Sequence, residues 1–147
     1  NYFLMKNILF VCTGNSARSI IAESIINNEF KDKFKAYSAG SNPSGKINED
    51  IKEFLEKNKN YDLSKYRSKN FEIYLSSEIK IDQVVTVCNN ANNEVCPIWP
   101  EKNQIIHWDI DDPVSKLKNA NNDEKQIIIR STFNNISTKI KNWLNEK

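Results

Sequence analysis

Apolar runs of strand length alternate with amphipathic stretches along the chain. Ile8-Leu9-Phe10-Val11 is continuous and apolar, which fits a strand buried on both faces. It stops at Cys12-Thr13-Gly14-Asn15-Ser16-Ala17-Arg18-Ser19. Ile21, Ile25 and Ile26 then recur at three to four residue intervals, with Ala22 and Phe30 near the same side, and predict a helix. Lys35 to Ser38 reads as a second short strand, ended by Gly40, Pro43 and Gly45. Asn48 is placed to cap a second helix whose apolar face is Ile51, Phe54 and Leu55. Tyr61 to Asn70 is polar and without a clear period, and Phe71 to Leu75 reads as a short helix or an irregular packed segment. Gln83 to Cys88 is a strand. After an Asn-rich stretch, Cys96-Pro97-Ile98-Trp99-Pro100 cannot continue an interior strand. Ile105 to Trp108 reads as the last strand, broken by Asp109 to Pro113. From about Asp123 onward, Ile129, Phe133, Ile136, Ile140, Trp143 and Leu144 mark a long amphipathic helix.

Strands separated by helical patterns imply a parallel sheet with helices on both faces. The expected architecture is a three-layer αβα arrangement on a four-stranded parallel sheet, in a single domain over residues 1–147. A length of 147 residues suits one domain, and 39% hydrophobic with 27% charged residues suits a folded one. With 21 basic against 19 acidic side chains the formal net charge is +2, which argues against a dedicated electrostatic grip on nucleic acid. The apolar runs are too short to span a bilayer, so no membrane partner is expected. No signal-peptide cleavage pattern follows the first residues, and a cytoplasmic location is the expectation.

Three cysteines, Cys12, Cys88 and Cys96, cannot form a fully paired scaffold, and they lack the spacing of a structural zinc site. They are either inert core residues or reactive thiols. Position separates the two readings. Ligands of open parallel sheets gather beyond the carboxyl ends of the strands. Cys12, Cys88 and the run Asp109 to Pro113 all fall at or just after predicted strand ends.

Cys12 and Arg18 bracket small or polar residues between a strand and a helix. Such a loop turns backbone N–H groups inward as a nest, and the helix adds its positive end. Thr13, Gly14, Asn15, Ser16, Ala17, Arg18 and Ser19 are therefore the candidate oxyanion-binding residues. Arg18, one of three arginines against 18 lysines, offers a planar fork to two oxygens at once. A helix N-terminus and a guanidinium favour the thiolate form of a cysteine, which makes Cys12 the candidate nucleophile. Gly14 is required if the loop passes through positive φ or approaches the anion closely. Asn15 is placed to pin the loop, and Ser19 to donate to the Cys12 sulfur. An anion-binding turn with a spectator cysteine is the alternative. A thiolate nucleophile calls for a general acid at the leaving group. Among Asp109, Asp111 and Asp112 the choice is Asp112, whose backbone is restricted by Pro113. His107, inside a strand pattern, reads as a packed or hydrogen-bonded histidine.

Val11 to Ser24, VCTGNSARSIIAES, resembles the opening of the low-molecular-weight tyrosine phosphatase superfamily, and more closely its arsenate reductases. Cys12, Arg18 and Ser19 match the motif Cys-x5-Arg-Ser; Tyr37-Ser38-Ala39-Gly40 with Pro43 match a second motif. Val84 to Pro100 resembles the reductases' redox segment, and His107 to Pro113 their acid loop. The resemblance implies that Cys12 attacks arsenate, Cys88 attacks Cys12 and releases arsenite, and Cys96 resolves the disulfide. It implies no tightly bound organic cofactor. The spacing of Cys88 and Cys96 is one residue longer than is usual in the thioredoxin-coupled branch, so both thioredoxin and glutathione with glutaredoxin are implied as external reductants. The resemblance further implies a monovalent cation, potassium, behind the loop, with Asn15, Glu23, Ser38 and Asp62 as side-chain ligands. No aromatic residue follows Asp112-Pro113 to support a phosphotyrosine ring. The rival enzymatic reading is phosphomonoester hydrolysis.

Overall fold

A computed structural model describes residues 5–89 and 105–146. The element order is β1 (Lys6–Cys12), α1 (Arg18–Glu29), β2 (Phe34–Gly40), α2 (Glu49–Lys57), α3 (Glu72–Leu75), β3 (Gln83–Thr86), β4 (Ile105–His107), α4 (Pro113–Leu117) and α5 (Asn122–Asn145). The four strands form one parallel sheet in the order β2-β1-β3-β4. Helices flank both faces, as the alternating pattern predicts.

The period of two along β1 sorts its side chains between two cores. Ile8, Phe10 and Cys12 face the larger one, with Ile20, Ile21 and Ile25 of α1, Ile51 and Leu55 of α2, Leu117 of α4, and Ile129, Phe133, Ile136 and Ile140 of α5. Leu9 and Val11 face the smaller one, with Ala39, Val84, Tyr74 of α3 and Ile81. β1 and β3 are thus buried on both faces, which is why Ile8 to Val11 reads as an unbroken apolar run and β3 carries Val84 and Val85 side by side.

Helix ends follow the local chemistry. The Asn48 side chain accepts from the N–H groups of Asp50 and Ile51 and so caps α2. Asn121 and Glu124 form a reciprocal capping box at α5. Asp112 accepts from Val114 N at 2.9 Å and, with Pro113 in the first turn, starts α4. The acid run therefore opens a short helix rather than only breaking a strand.

The strand order reverses at β1, which has β2 on one side and β3 on the other. The crevice beyond the carboxyl ends of β1 and β3 is the natural binding place of such a sheet. The loop after β1 carries Cys12 to Ala17, and Cys88 lies two residues beyond β3. The register continues past β3, with Val87 N donating to Val11 O at 2.9 Å, so Cys88 follows beside the end of β1. Among the described residues no helix is long and apolar enough to cross a membrane.

Candidate active site

The loop between β1 and α1 is shaped from behind. Its carbonyls are taken by the chain that follows β2: Ser41 N donates to Cys12 O, Asn42 N to Thr13 O, Ser44 N to Gly14 O and Asn48 N to Ser16 O, all within 2.9–3.1 Å. Ser68 Oγ adds a second bond to Gly14 O at 3.1 Å. With the carbonyls turned outward, the N–H groups are left to face the other side. That side is a pocket of about 240 Å³ lined by Cys12, Thr13, Gly14, Asn15, Ser16, Ala17, Arg18, Asp112 and Val114. α1 begins there without a side-chain cap, so its first N–H groups and its positive end point at the pocket.

The glycine demanded at the back of this loop is Gly40 and not Gly14. A Cβ on Gly40 would lie 2.4 Å from the Thr13 carbonyl oxygen and 3.1 Å from both Cβ and N of Asn15, whereas one on Gly14 would meet only Ser16 Oγ at 3.6 Å. The loop's positive φ falls on Asn15, at 47°, a residue type that tolerates it. The close approach is between the end of β2 and the back of the loop.

Cys12 is a free thiol, 2% exposed, at the pocket floor. Its sulfur accepts from Asn15 N at 3.2 Å and lies 2.9 Å from Ser19 Oγ. The neighbours set the orientation of Ser19 at that second contact. Asn15 Nδ2 donates to Ser19 Oγ at 2.7 Å and to Ser38 Oγ at 3.0 Å. Ser38 Oγ donates to Glu23 Oε1 at 2.6 Å. Each serine accepts from the amide; Ser38 passes its own proton to a carboxylate, and the Ser19 proton is left available to the Cys12 sulfur. Ser19 therefore sits beneath the sulfur, not on the anion-facing wall where the sequence reading also counts it.

Arg18 is buried and lines the pocket while its Nη1 donates to Ile110 O at 2.9 Å. Asp112 and Val114 form the opposite wall. The loops of this edge are fastened to one another. Asn89, the residue after Cys88, donates to Asp111, which also pairs with Lys116 at 3.3 Å. His107 bridges Thr86 at 2.7 Å and Asp109 at 2.8 Å, the hydrogen-bonded structural role its strand position suggests. Cys88 is fully buried and disulfide-bonded. Cys96 lies outside the described residues.

A sequence profile described as low molecular weight phosphotyrosine protein phosphatase matches residues 7–147. The chain belongs to that family. Relatives named arsenate reductase include one from Halalkalibacterium halodurans, 33% identical over 94% of this chain and 94% of its own length. Another, from Bacillus cereus, is 38% identical over 76% of this chain and 79% of its own length. A solved arsenate reductase in the phosphate binding state superposes with a TM-score of 0.73 at 20% identity, covering 97% of this chain and 98% of that one. This family member thus stands in the branch that holds arsenate reductases and small phosphatases.

The structure brings together three of the four residues expected to hold a cation. Asn15, Glu23 and Ser38 meet, but Asp62 is exposed and turned to its own loop, where it accepts from Ser64 N at 2.9 Å. That backbone bond, first among its influences, holds the Asp62 carboxyl below the usual range. The amide oxygen of Asn15 accepts from Lys69 N at 2.9 Å, and the side chains that meet behind the loop are those of Asn15, Glu23 and Ser38. Sequence reasoning missed two contributors here: the backbone of Ser41 to Asn48, which shapes the loop, and Lys69, which holds Asn15.

Proposed function

We propose that this protein is a thiol-dependent arsenate reductase. The observation that carries the reading is a free cysteine on the floor of an oxyanion cradle, with a second, disulfide-bonded cysteine beside the end of the same strand. Arsenate matches phosphate in shape and charge, so inward N–H groups, the start of α1 and Arg18 suit it. Among the described residues the wall opposite the loop offers Asp112 and Val114 and nothing aromatic, which suits a small inorganic anion better than an aryl ester.

The Cys12 thiolate attacks arsenic, and an arsenate oxygen leaves as water after taking a proton from Asp112. Once an external thiol reductant has opened the disulfide that holds Cys88 in this structure, the Cys88 thiolate attacks the Cys12 sulfur. The S–S bond forms, the As–S bond breaks, and its electron pair stays on arsenic, which departs as arsenite. Cys96 attacks Cys88, freeing Cys12 and leaving a second disulfide for an external dithiol to reduce. Thioredoxin and glutathione with glutaredoxin are the two candidate reductants.

The deciding assay follows arsenite release with each reductant system, beside hydrolysis of an aryl phosphate. The intact protein is expected to release arsenite. Cys88→Ser is expected to stop that release and retain aryl phosphate hydrolysis. Arsenate reduction that survives Cys88→Ser overturns the relay. Phosphate binding without either turnover makes the protein an anion-binding module.

Asp112 carries two duties that variants separate. Asp112→Asn keeps a capping side chain for α4 and loses the acid, so turnover is expected to fall about 100-fold with little change in stability. Asp112→Ala loses the cap as well, and urea denaturation is expected to show about 1 kcal/mol of lost stability. Equal turnover in Asp112→Asn and the unaltered protein rules out the acid role.

A further inference from the structure

β3 and β4 end side by side, and the chain beyond one carries Cys88 while the chain beyond the other carries Asp112. A backbone bond from Trp108 N to Thr86 O, 2.8 Å, joins them at the end of the sheet. Side chains carry the connection further. His107 bridges Thr86 and Asp109 beside that bond. Farther along, Asn89 Nδ2 donates to Asp111 Oδ1. This bond joins the residue directly after Cys88 to the residue directly before Asp112. Asn89 is 7% exposed and its partner is a carboxylate, the stronger kind of hydrogen bond. The other Asp111 oxygen accepts from Lys116 Nζ of α4 at 3.3 Å, an exposed pair that contributes little. Asp112 lines the pocket with one carboxylate oxygen given to Val114 N at 2.9 Å. Its reach to a leaving oxygen is therefore set by the backbone on either side. After it stands α4; before it, Ile110 O is held by Arg18 and Asp111 by Asn89.

We propose that Asn89 is a positioning residue for the proton donor: its amide holds Asp111, and through the backbone Asp112, where the leaving oxygen needs the proton. The proposal rests on the reading of Cys12 as nucleophile and Asp112 as acid, and not on which oxyanion the cradle takes. One side chain so links the segment of the attacking thiol to the strip that carries the acid. A misplacement of about 1 Å in a reacting group costs on the order of 100-fold in rate. Asn89 is one of several holds on the strip, so its loss is expected to cost less than loss of the acid itself.

The test compares kcat/KM of the full chain for two aryl phosphates. Phenyl phosphate expels a strongly basic oxygen that leaves as it is protonated, whereas dinitrophenyl phosphate expels a weakly basic one that needs no acid. Asn89→Ala is expected to lower kcat/KM about tenfold for phenyl phosphate and to stay within about twofold for the dinitrophenyl ester. Asp111→Ala is expected to do the same, and the double variant to be no slower than either single one, since each removes the same bond. Asp111→Asn keeps the oxygen that accepts from Asn89 and loses the charge paired with Lys116, so both esters are expected to stay within about threefold of the unaltered protein. Equal losses on the two esters overturn the proposal, because a disturbed cradle and not a displaced acid then accounts for them. Normal rates in Asn89→Ala overturn it, as do losses that multiply in the double variant. Asp111 is exposed, and if Asn89→Ala fails to fold the Asp111 variants decide alone: a fall in Asp111→Ala that Asp111→Asn does not share supports the proposal, and equal rates in the two overturn it. Hydrolysis of neither ester by the unaltered protein, or an Asp112→Asn loss equal on both, overturns the reading beneath the proposal, and that result is seen before any Asn89 variant is made.

Discussion

Cys12→Ser is expected to lower both arsenate reduction and aryl phosphate hydrolysis by roughly 10⁴-fold or more, while phosphate still binds. A serine oxygen in place of the sulfur accepts the same bonds from Asn15 N and Ser19 Oγ, so the loop keeps its shape. The outward carbonyls, the start of α1 and Arg18 are untouched, and these hold the anion. What is lost is the nucleophile: a hydroxyl does not ionise under conditions where a thiol can. Calorimetric titration with inorganic phosphate checks binding, and the two turnover assays check chemistry. Residual turnover within tenfold of the unaltered protein removes Cys12 from the reaction. Loss of phosphate binding together with turnover means that the substitution disturbed the cradle, and the chemical assignment then fails its most direct test.

Gly40→Ala is expected to destabilise the protein by about 1–3 kcal/mol and to cut turnover about 100-fold. The added methyl group would stand 2.4 Å from Thr13 O, a backbone atom that cannot swing aside as a side-chain tip can. Relief requires the end of β2 and the loop to part. That movement strains the pairing of Cys12 with Gly40 at the end of β1 and the bonds from Ser41 and Asn42 to the loop carbonyls. Displacement of the N–H groups then misaligns the anion against the sulfur. Gly14→Ala is the comparison: its methyl group meets only Ser16 Oγ at 3.6 Å, and its stability is expected to stay within about 0.5 kcal/mol. Urea denaturation of both variants decides the matter. Equal stabilities place the close approach elsewhere.

The layout of strands and long helices was legible because burial wrote it into the residue types. β1 and β3 are buried on both faces and are apolar at consecutive positions. α2 and α5 each bury one side, and Ile51, Phe54 and Leu55, or Ile129, Phe133, Ile136 and Ile140, mark it. α4 was hidden because five residues are too few for a period; only Asp112 before Pro113 signals it, and the same pair also reads as an acid loop. In the site, Cys12, Arg18, Ser19 and Asp112 were legible because side-chain chemistry and position after a strand both mark them. The scaffold at Ser41 to Asn48 was not, since it acts through backbone N–H groups that any residue but proline supplies. Lys69 was lost among 18 lysines on a polar stretch without a period. Of the expected cation ligands, Asp62 is the one not joined to the other three, for a related reason. Asp62 is an acidic residue in that same polar stretch, and a side chain one or more turns of loop away from Glu23 cannot be told from a neighbour without the path of the backbone.

The bond from Arg18 Nη1 to Ile110 O ties the start of α1 to a backbone two residues ahead of Asp112. One guanidinium consequently lines the cradle and registers the strip of chain that carries Asp112. On the proposed mechanism, a swing of that side chain toward an incoming anion is felt by the opposite wall. Capture and protonation would then be geared to one another through a single planar group, whose fixed fork a lysine does not reproduce.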